Sequence, residues 1–175
     1  MGELADRLSL LSVEARSPDG GLTATARGHG EVRVGFAQDA YRGYPAPVLA
    51  RQLEALATLL WARYRRRYLE IVRAWSERDP DDAGEPDAAD REFQRRLERM
   101  EVAGRSALGR VTVRSRAMVS WQVDIQPGPA LTERDFLAEL DSAVTALLAD
   151  HRAKLILLTD AIHDIGLPRA MRTAG

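Results

Sequence analysis

Apolar and polar residues alternate with a period of two over three short stretches near the start of the chain. The stretches cover residues 13–16, 22–27 and 31–36. Such alternation is typical of strands that bury one face. Residues 17–21 read Ser-Pro-Asp-Gly-Gly between the first two stretches, and proline and glycine there favour a tight turn. The sequence therefore predicts three short antiparallel strands.

The next pattern has apolar residues at spacings of three and four, which is typical of one face of a helix. Its members are Leu49, Leu53, Leu56, Leu60, Tyr64, Tyr68, Ile71 and Trp75. A helix of about 29 residues is about 43 Å long. Three short strands cannot cover a stripe of that length. We therefore predict that the far end of the stripe packs against another partner.

The second half of the chain repeats this order after an acidic stretch. Residues 76–89 are rich in Asp and Glu and are broken by Pro80, Gly84 and Pro86, which predicts a surface linker. A helix is predicted over residues 90–100, followed by strand-like alternation and by a last helix with Thr132 as its N-cap. The predicted organisation is a unit at residues 1–75, the linker, and a second unit at residues 90–175.

The two halves align when the first is shifted by 89 residues. Seven of the 26 positions from 11 to 36 are then identical, namely Val13, Arg16, Ser17, Gly20, Thr23, Arg27 and Val34. Both copies continue through a proline-containing loop into a long helix, with about two residues deleted in the second copy. We predict an α+β fold of tandem β-β-β-α units, either as an intrachain pseudo-dimer or as a chain that dimerises further.

The composition excludes several classes of protein. The 175 residues are 45% hydrophobic and 29% charged and include no cysteine, so disulfides and thiolate chemistry are excluded. No apolar stretch approaches the roughly 18 residues of a membrane span, and the N-terminus does not resemble a signal peptide. A cytoplasmic protein without membrane contact is predicted. The formal net charge of −1 gives no strong attraction between the whole molecule and nucleic acid.

Catalytic and metal-binding patterns are missing from the sequence. His151 and His163 lie 12 residues apart on one predicted helix, and His29 lies in a turn, so no shared metal site is expected. Glu54 and Glu70 are isolated from each other, so they do not form a carboxylate pair for acid–base chemistry. We predict that the protein is not an enzyme and has no cofactor, with an enzyme of unrecognised type as the remaining alternative.

One segment, residues 61–68, combines arginines with aromatic residues. Its Arg63, Arg66 and Arg67, together with Arg73, are candidate contacts for the phosphates of nucleic acid. Two other interpretations stay open: a solvated helix face, or pairing with the acidic residues of 77–92. Tyr64 and Tyr68 lie on the apolar stripe and are predicted to pack against other residues rather than to stack on bases.

Three pieces of the first half carry a resemblance to a known family. They are the hairpin start at residues 21–26, the glycine pair of Gly28-His29-Gly30, and Asp39-Ala40-Tyr41. Over residues 12–75 the chain resembles the YbaB/EbfC family of bacterial nucleoid-associated proteins. The second half lacks the glycine pair and has Ala117-Met118-Val119 there.

The resemblance implies a homodimer with a shared sheet and protruding helices that binds DNA with little sequence preference in the nucleoid. Relatives in high-GC bacteria also include accessory proteins of type VII secretion loci. The alternative function is therefore a protein-interaction module that uses the long helices. Salt separates the two functions, because binding to phosphates weakens steeply as salt rises and apolar docking does not.

Overall fold

The computed structural model describes residues 2–28, 30–76 and 87–163. The first half contains α1 (Gly2–Ser9), β1 (Ser12–Arg16), β2 (Leu22–Arg27), β3 (Glu31–Phe36), a short 3-10 helix (Tyr41–Gly43) and α2 (Ala46–Ser76). The second half contains α3 (Ala88–Leu97), β4 (Glu101–Arg105), β5 (Val111–Arg116), β6 (Ser120–Ile125) and α4 (Glu133–His163). The predicted α+β class is confirmed.

The described strands form two separate antiparallel sheets, one of β1-β2-β3 and one of β4-β5-β6. The resemblance implies one shared sheet instead. The outer edge of β6 is already in use, because the backbone N–H of Val123 donates a hydrogen bond of 2.9 Å to the carboxylate of Glu54 on α2. This N–H is therefore not available to a strand that would pair with β6 at that position.

Each long helix contacts both sheets. α2 packs on β1 and β2 and also against β6, while α4 packs on β4 and β5 and also against β3. The buried side chains from both halves join into a single hydrophobic core. α2 also contacts α1, and α3 contacts α4. α2 thus has packing partners beyond the strands of its own half, namely β6 and α1.

The helix boundaries differ from the prediction around the acidic stretch. α2 includes Ser76, and α3 already begins at Ala88, so both ends of the predicted linker belong to helices; residues 77–86 lie outside the described part of the chain. Asp87 starts α3 as an N-cap that accepts a hydrogen bond from the backbone of Asp90 at 2.8 Å. The predicted N-cap of the last helix is confirmed, since the hydroxyl of Thr132 accepts from the Asp135 backbone N–H at 3.1 Å.

The turn between β5 and β6 has an uncommon backbone. Ala117 and Met118 adopt left-handed φ angles of 55° and 56°, and the Val119 N–H closes the turn onto the Arg116 carbonyl at 3.0 Å. Glycine or asparagine usually fills such positions, because a Cβ makes this conformation costly. The side chain of Met118 is buried in the core, which holds the turn in this shape.

Ala117→Gly is expected to stabilise the protein by about 1 kcal/mol, because it removes the left-handed strain from a half-buried position. Urea unfolding followed by circular dichroism measures the change. The matched control is Ala149→Gly on the exposed side of α4, where the same exchange should destabilise by about 1 kcal/mol. A loss of stability in Ala117→Gly would contradict the explanation.

Candidate nucleic-acid interface

A groove runs between the edge strand β1 and the C-terminal half of α2. Its volume is about 330 Å³, and its walls are formed by Val13, Glu14, Arg63, Arg66, Arg67 and Glu70. The helical residues recur at spacings of three and four, so they share one side of α2. The structure thus brings three of the four predicted arginines together, and it adds two acidic residues to the same groove.

Arg63 serves the fold as well as the groove. In an antiparallel pair, every second residue of a strand is hydrogen-bonded to its partner strand. Beside β1 these residues have odd numbers, because the Ser17 N–H donates to the Leu22 carbonyl and the Gly28 N–H donates to the Leu11 carbonyl. The backbone groups of Glu14 therefore point away from β2. The Arg63 guanidinium donates to the outward carbonyl of Glu14. Arg63 therefore covers part of the free edge of β1 and is less available to a ligand than its neighbours.

Arg66 and Arg67 present their guanidinium groups to solvent. Arg67 forms an ion pair of 3.0 Å with Glu70, in which the two side chains are 59% and 52% exposed. An exposed pair of this kind contributes about 0–1 kcal/mol and is easily exchanged for another anion. Within the described ranges Arg66 has no ion-pair partner. These two residues are the most accessible cations of the groove.

Arg73 does not line the groove. It follows Glu70 by three residues and therefore continues the same side of α2 toward the helix end, about 15 Å from Arg63 along the axis. Its side chain is exposed and has no ion-pair partner among the described residues. We call Arg63, Arg66, Arg67 and Arg73 the α2 arginine stripe.

The suggested pairing with the acidic residues of 77–92 receives no support from the part of this segment that is described. The Glu92 carboxylate accepts from Arg95 and Arg96 of its own helix, at 2.7 Å in both ion pairs. Asp90 caps the start of α3. Residues 77–86 lie outside the described ranges. None of the ion pairs between described residues joins α3 to the α2 arginine stripe.

The aromatic residues beside the stripe are mostly used in packing. Trp61 and Tyr64 stack with ring centroids 5.5 Å apart, and the Tyr64 hydroxyl donates to the Gly28 carbonyl at 2.9 Å. Burial raises the pKa of Tyr64. The predicted packing role of Tyr64 is confirmed, whereas Tyr68, for which the same role was predicted, remains 40% exposed.

The corresponding side of α4 does not repeat the basic stripe, and Lys154, at the position of Arg67, is its one basic member. A shift of 87 residues places Asp150 at the position of Arg63 and Asp160 at that of Arg73. Asp150 accepts from the Ala103 backbone N–H at 2.9 Å and from Lys154 at 2.8 Å. Burial raises the pKa of Asp150, but the hydrogen bonds from Lys154 and Ala103 outweigh it and lower the pKa below its usual value. The arginine stripe therefore belongs to the first half alone.

The histidines are not brought together. His151 of α4 lies edge-on to Trp61 with centroids 6.3 Å apart, and burial lowers its pKa. His29 and the side chain of His163 fall outside the described part of the chain. Across residues 2–28, 30–76 and 87–163, no three His, Cys, Asp or Glu side chains are arranged to hold a metal ion.

Sequence reasoning missed the acidic members of the groove. Glu70 could have been found, because it follows Arg66 and Arg67 by four and three residues and so shares their side of the helix. Glu14 carries no such signal. Its place beside Arg63 depends on a contact between residues 49 positions apart in the chain.

Comparison with known proteins adds no relative to this picture, since no family model, no curated protein and no solved structure matches the chain. Among the helices of the described ranges, none is both long enough and apolar enough to cross a membrane.

Proposed function

We propose that the protein binds DNA without sequence preference, through the α2 arginine stripe. The observation that carries the proposal is the shared side of α2, on which Arg66, Arg67 and Arg73 are all solvent-exposed within about two turns of the helix. Guanidinium groups bind phosphate oxygens strongly, and contacts to the backbone carry no base information. The binding is non-enzymatic and takes place in the cytoplasm, at the nucleoid.

The length of the stripe suits a nucleic-acid backbone. Arg63 to Arg73 spans about 15 Å of helix, whereas each DNA strand carries one phosphate per about 3.4 Å of duplex axis. Three exposed arginines can therefore reach about three phosphates of one groove edge. Glu14 and Glu70 oppose this attraction, so we expect moderate affinity.

We infer further that the chain is an intrachain pseudo-dimer of the YbaB/EbfC type. Support comes from α2 and α4, which both have 31 residues and begin 87 positions apart, and from the way each helix reaches an edge strand of the other half. A homodimer would present two identical basic helices. Here Asp150 and Asp160 replace arginines on α4, so one face alone would contact DNA.

Replacing Arg66, Arg67 and Arg73 with alanine is expected to weaken binding to a labelled random duplex at least tenfold at about 50 mM salt, because about three phosphate contacts are lost. The slope of log K against log salt concentration should become shallower by about 2.7. Fluorescence anisotropy over about 50–200 mM salt measures both quantities. Arg63 is left in place because it covers the edge of β1.

The matched control replaces Arg99, Arg134 and Arg152, which are exposed, lie in the second half and have no ion pair with a described residue. It changes the net charge equally and should leave most of the binding intact. An equal loss of affinity in both variants would mean that binding depends on the overall charge and not on the α2 arginine stripe. A wild type that does not bind the duplex at low salt would refute the proposal.

A protein-interaction or type VII secretion accessory role is the second candidate. It is favoured by Leu59, Tyr68 and Leu69 of α2, whose side chains remain 39%, 40% and 39% exposed. A partner that docks on these apolar groups would bind with little dependence on salt. Salt-insensitive capture that is lost in Leu59→Ser/Leu69→Ser would support this role over DNA binding.

A further inference from the structure

We propose that the phosphate-binding surface continues from the α2 arginine stripe across β1 onto the outer face of the first sheet, where Arg16 and Arg27 contact the duplex backbone. This inference rests on the proposed DNA binding and extends the binding surface from α2 to the strands β1 and β2. It assigns a role to two arginines that the sequence marks only as identical between the two halves.

Arg16 and Arg27 share the outer face because of strand alternation. Ala15 and Ala26 point into the core and are buried, so their neighbours Arg16 and Arg27 point to solvent, and both are exposed. Neither guanidinium has a hydrogen bond or an ion pair with a described residue. The third arginine of this face, Arg33, is already paired with Glu31 at 3.1 Å.

The outer face meets the groove at Glu14. Arg16 lies two residues from Glu14 along β1, and Arg27 pairs in register with Ser12, two residues away in the other direction. The two arginines therefore flank Glu14 at a separation of about 13 Å along the strands. Because Glu14 also lines the groove beside Arg66 and Arg67, the two sets of cations border the same strand from opposite sides.

Hydroxyl groups complete the surface. Thr23 is the register partner of Arg16, and Thr25 is the partner of Glu14. Both threonines lie on the outer face, and their hydroxyls can donate to phosphate oxygens, as serine and threonine commonly do in DNA complexes. Gly35 of β3 is the register partner of Thr23 on the other side, and because it has no side chain it leaves Thr23 accessible.

Charge selects a polyanion as the occupant. The outer face carries Arg16, Arg27 and Arg33 against Glu14 and Glu31, so it is basic by one charge, and the threonine hydroxyls add donors for phosphate oxygens. An apolar protein partner would find no hydrophobic side chain on this face.

The second sheet provides a control that the chain itself supplies. Arg105 and Arg116 stand 89 positions after Arg16 and Arg27 and are also exposed on an outer face. The helix beside that sheet carries Asp150 where α2 carries Arg63, so no basic stripe borders it. Removal of Arg105 and Arg116 changes the charge equally but leaves the proposed surface whole.

The experiment compares Arg16→Ala/Arg27→Ala with Arg105→Ala/Arg116→Ala by fluorescence anisotropy on a labelled random duplex, after circular dichroism has established that each variant is folded. The first pair should weaken binding about fivefold and make the salt slope shallower by about 1.8, the value for two lost phosphates. The second pair should change the affinity less than twofold.

The outcomes separate this inference from the function on which it rests. Equal effects of the two pairs, with binding still lost in the stripe variant, would overturn the outer-face surface and leave DNA binding standing. A wild type that does not bind the duplex would overturn both. A larger effect of Arg16→Ala/Arg27→Ala than of its control supports the continuous surface.

Discussion

Gly104→Ala is expected to destabilise the protein by about 3 kcal/mol or more, because β4 and α4 touch through their backbones at this position. A Cβ on Gly104 would lie 2.0 Å from the carbonyl oxygen of Ala143 and 2.3 Å from the amide nitrogen of Leu147. Backbone atoms cannot rotate away as a side chain can. The helix would have to move off the sheet as a whole, with loss of packing along its buried face.

Urea unfolding monitored by circular dichroism measures this loss. Gly35→Ala is the matched control, since it is also a glycine-to-alanine exchange within a strand, and its Cβ would meet only the Thr23 hydroxyl at 3.7 Å. That distance is an ordinary contact, and alanine lowers the entropy of the unfolded chain, so Gly35→Ala should be neutral or slightly stabilising. Similar stabilities for the two variants would contradict the close approach of β4 and α4.

Glu139→Ala is expected to cost about 3 kcal/mol, since it removes a buried carboxylate that holds the turn between β4 and β5. Glu139 is 6% exposed and accepts hydrogen bonds from the Ser106 hydroxyl and from the backbone N–H groups of Leu108 and Arg110, both at 3.3 Å. Without the carboxylate the buried Ser106 hydroxyl loses its acceptor, and an unsatisfied buried donor costs about 1–3 kcal/mol.

The control is Gln52→Ala, because Gln52 occupies the same helical position 87 residues earlier. Its side-chain oxygen is buried and has no hydrogen-bond partner in the described structure. The turn between β1 and β2 is held differently, by Asp19, whose carboxylate accepts from the Ser17 and Tyr44 hydroxyls at 2.6 Å each. Gln52→Ala should therefore cost about 1 kcal/mol or less. A loss as large as that of Glu139→Ala would show that the hydrogen bonds are not the cause.

The elements of the fold were largely predictable because their signals are local. Alternation of apolar residues and the Pro-Asp-Gly-Gly turn predicted β1, β2 and β3, and the stripe from Leu49 to Trp75 predicted α2. The ends of the helices were less well predicted around the acidic stretch. Pro80 and Pro86 indicate that a helix stops nearby, but the last turn of α2 and the first of α3 depend on caps such as Asp87.

The contacts between the halves could not be predicted from local patterns. The hydrogen bond from Val123 to Glu54 joins residues 69 positions apart, and a glutamate on a helix gives no sign that it will cover a strand edge. The turn at Ala117 and Met118 was equally hidden. Its left-handed backbone is maintained by burial of Met118, and that burial is a property of the assembled core.

The candidate interface also has one part that the sequence predicts and one part that it does not. The arginines of α2 were predictable, since their spacing on a helix places them on one side. The carbonyl of Glu14 as partner of Arg63 was not, and neither was the position of Arg16 and Arg27 beside the same edge, because both depend on the register of β1 against β2 and on the contact of β1 with α2.

The contact of α2 with β6 has a consequence for synthesis on the ribosome. When α2 has been completed, the strand that it packs against is still about 50 residues from being made, a delay of about 2–10 s at about 5–20 residues per second. During that interval the side of α2 that later meets β6 is open to other nascent chains and to chaperones. A dimer of separate subunits would end this exposure by collision, at a rate set by concentration. In this protein the delay is fixed by the speed of translation and is the same however few copies the cell contains.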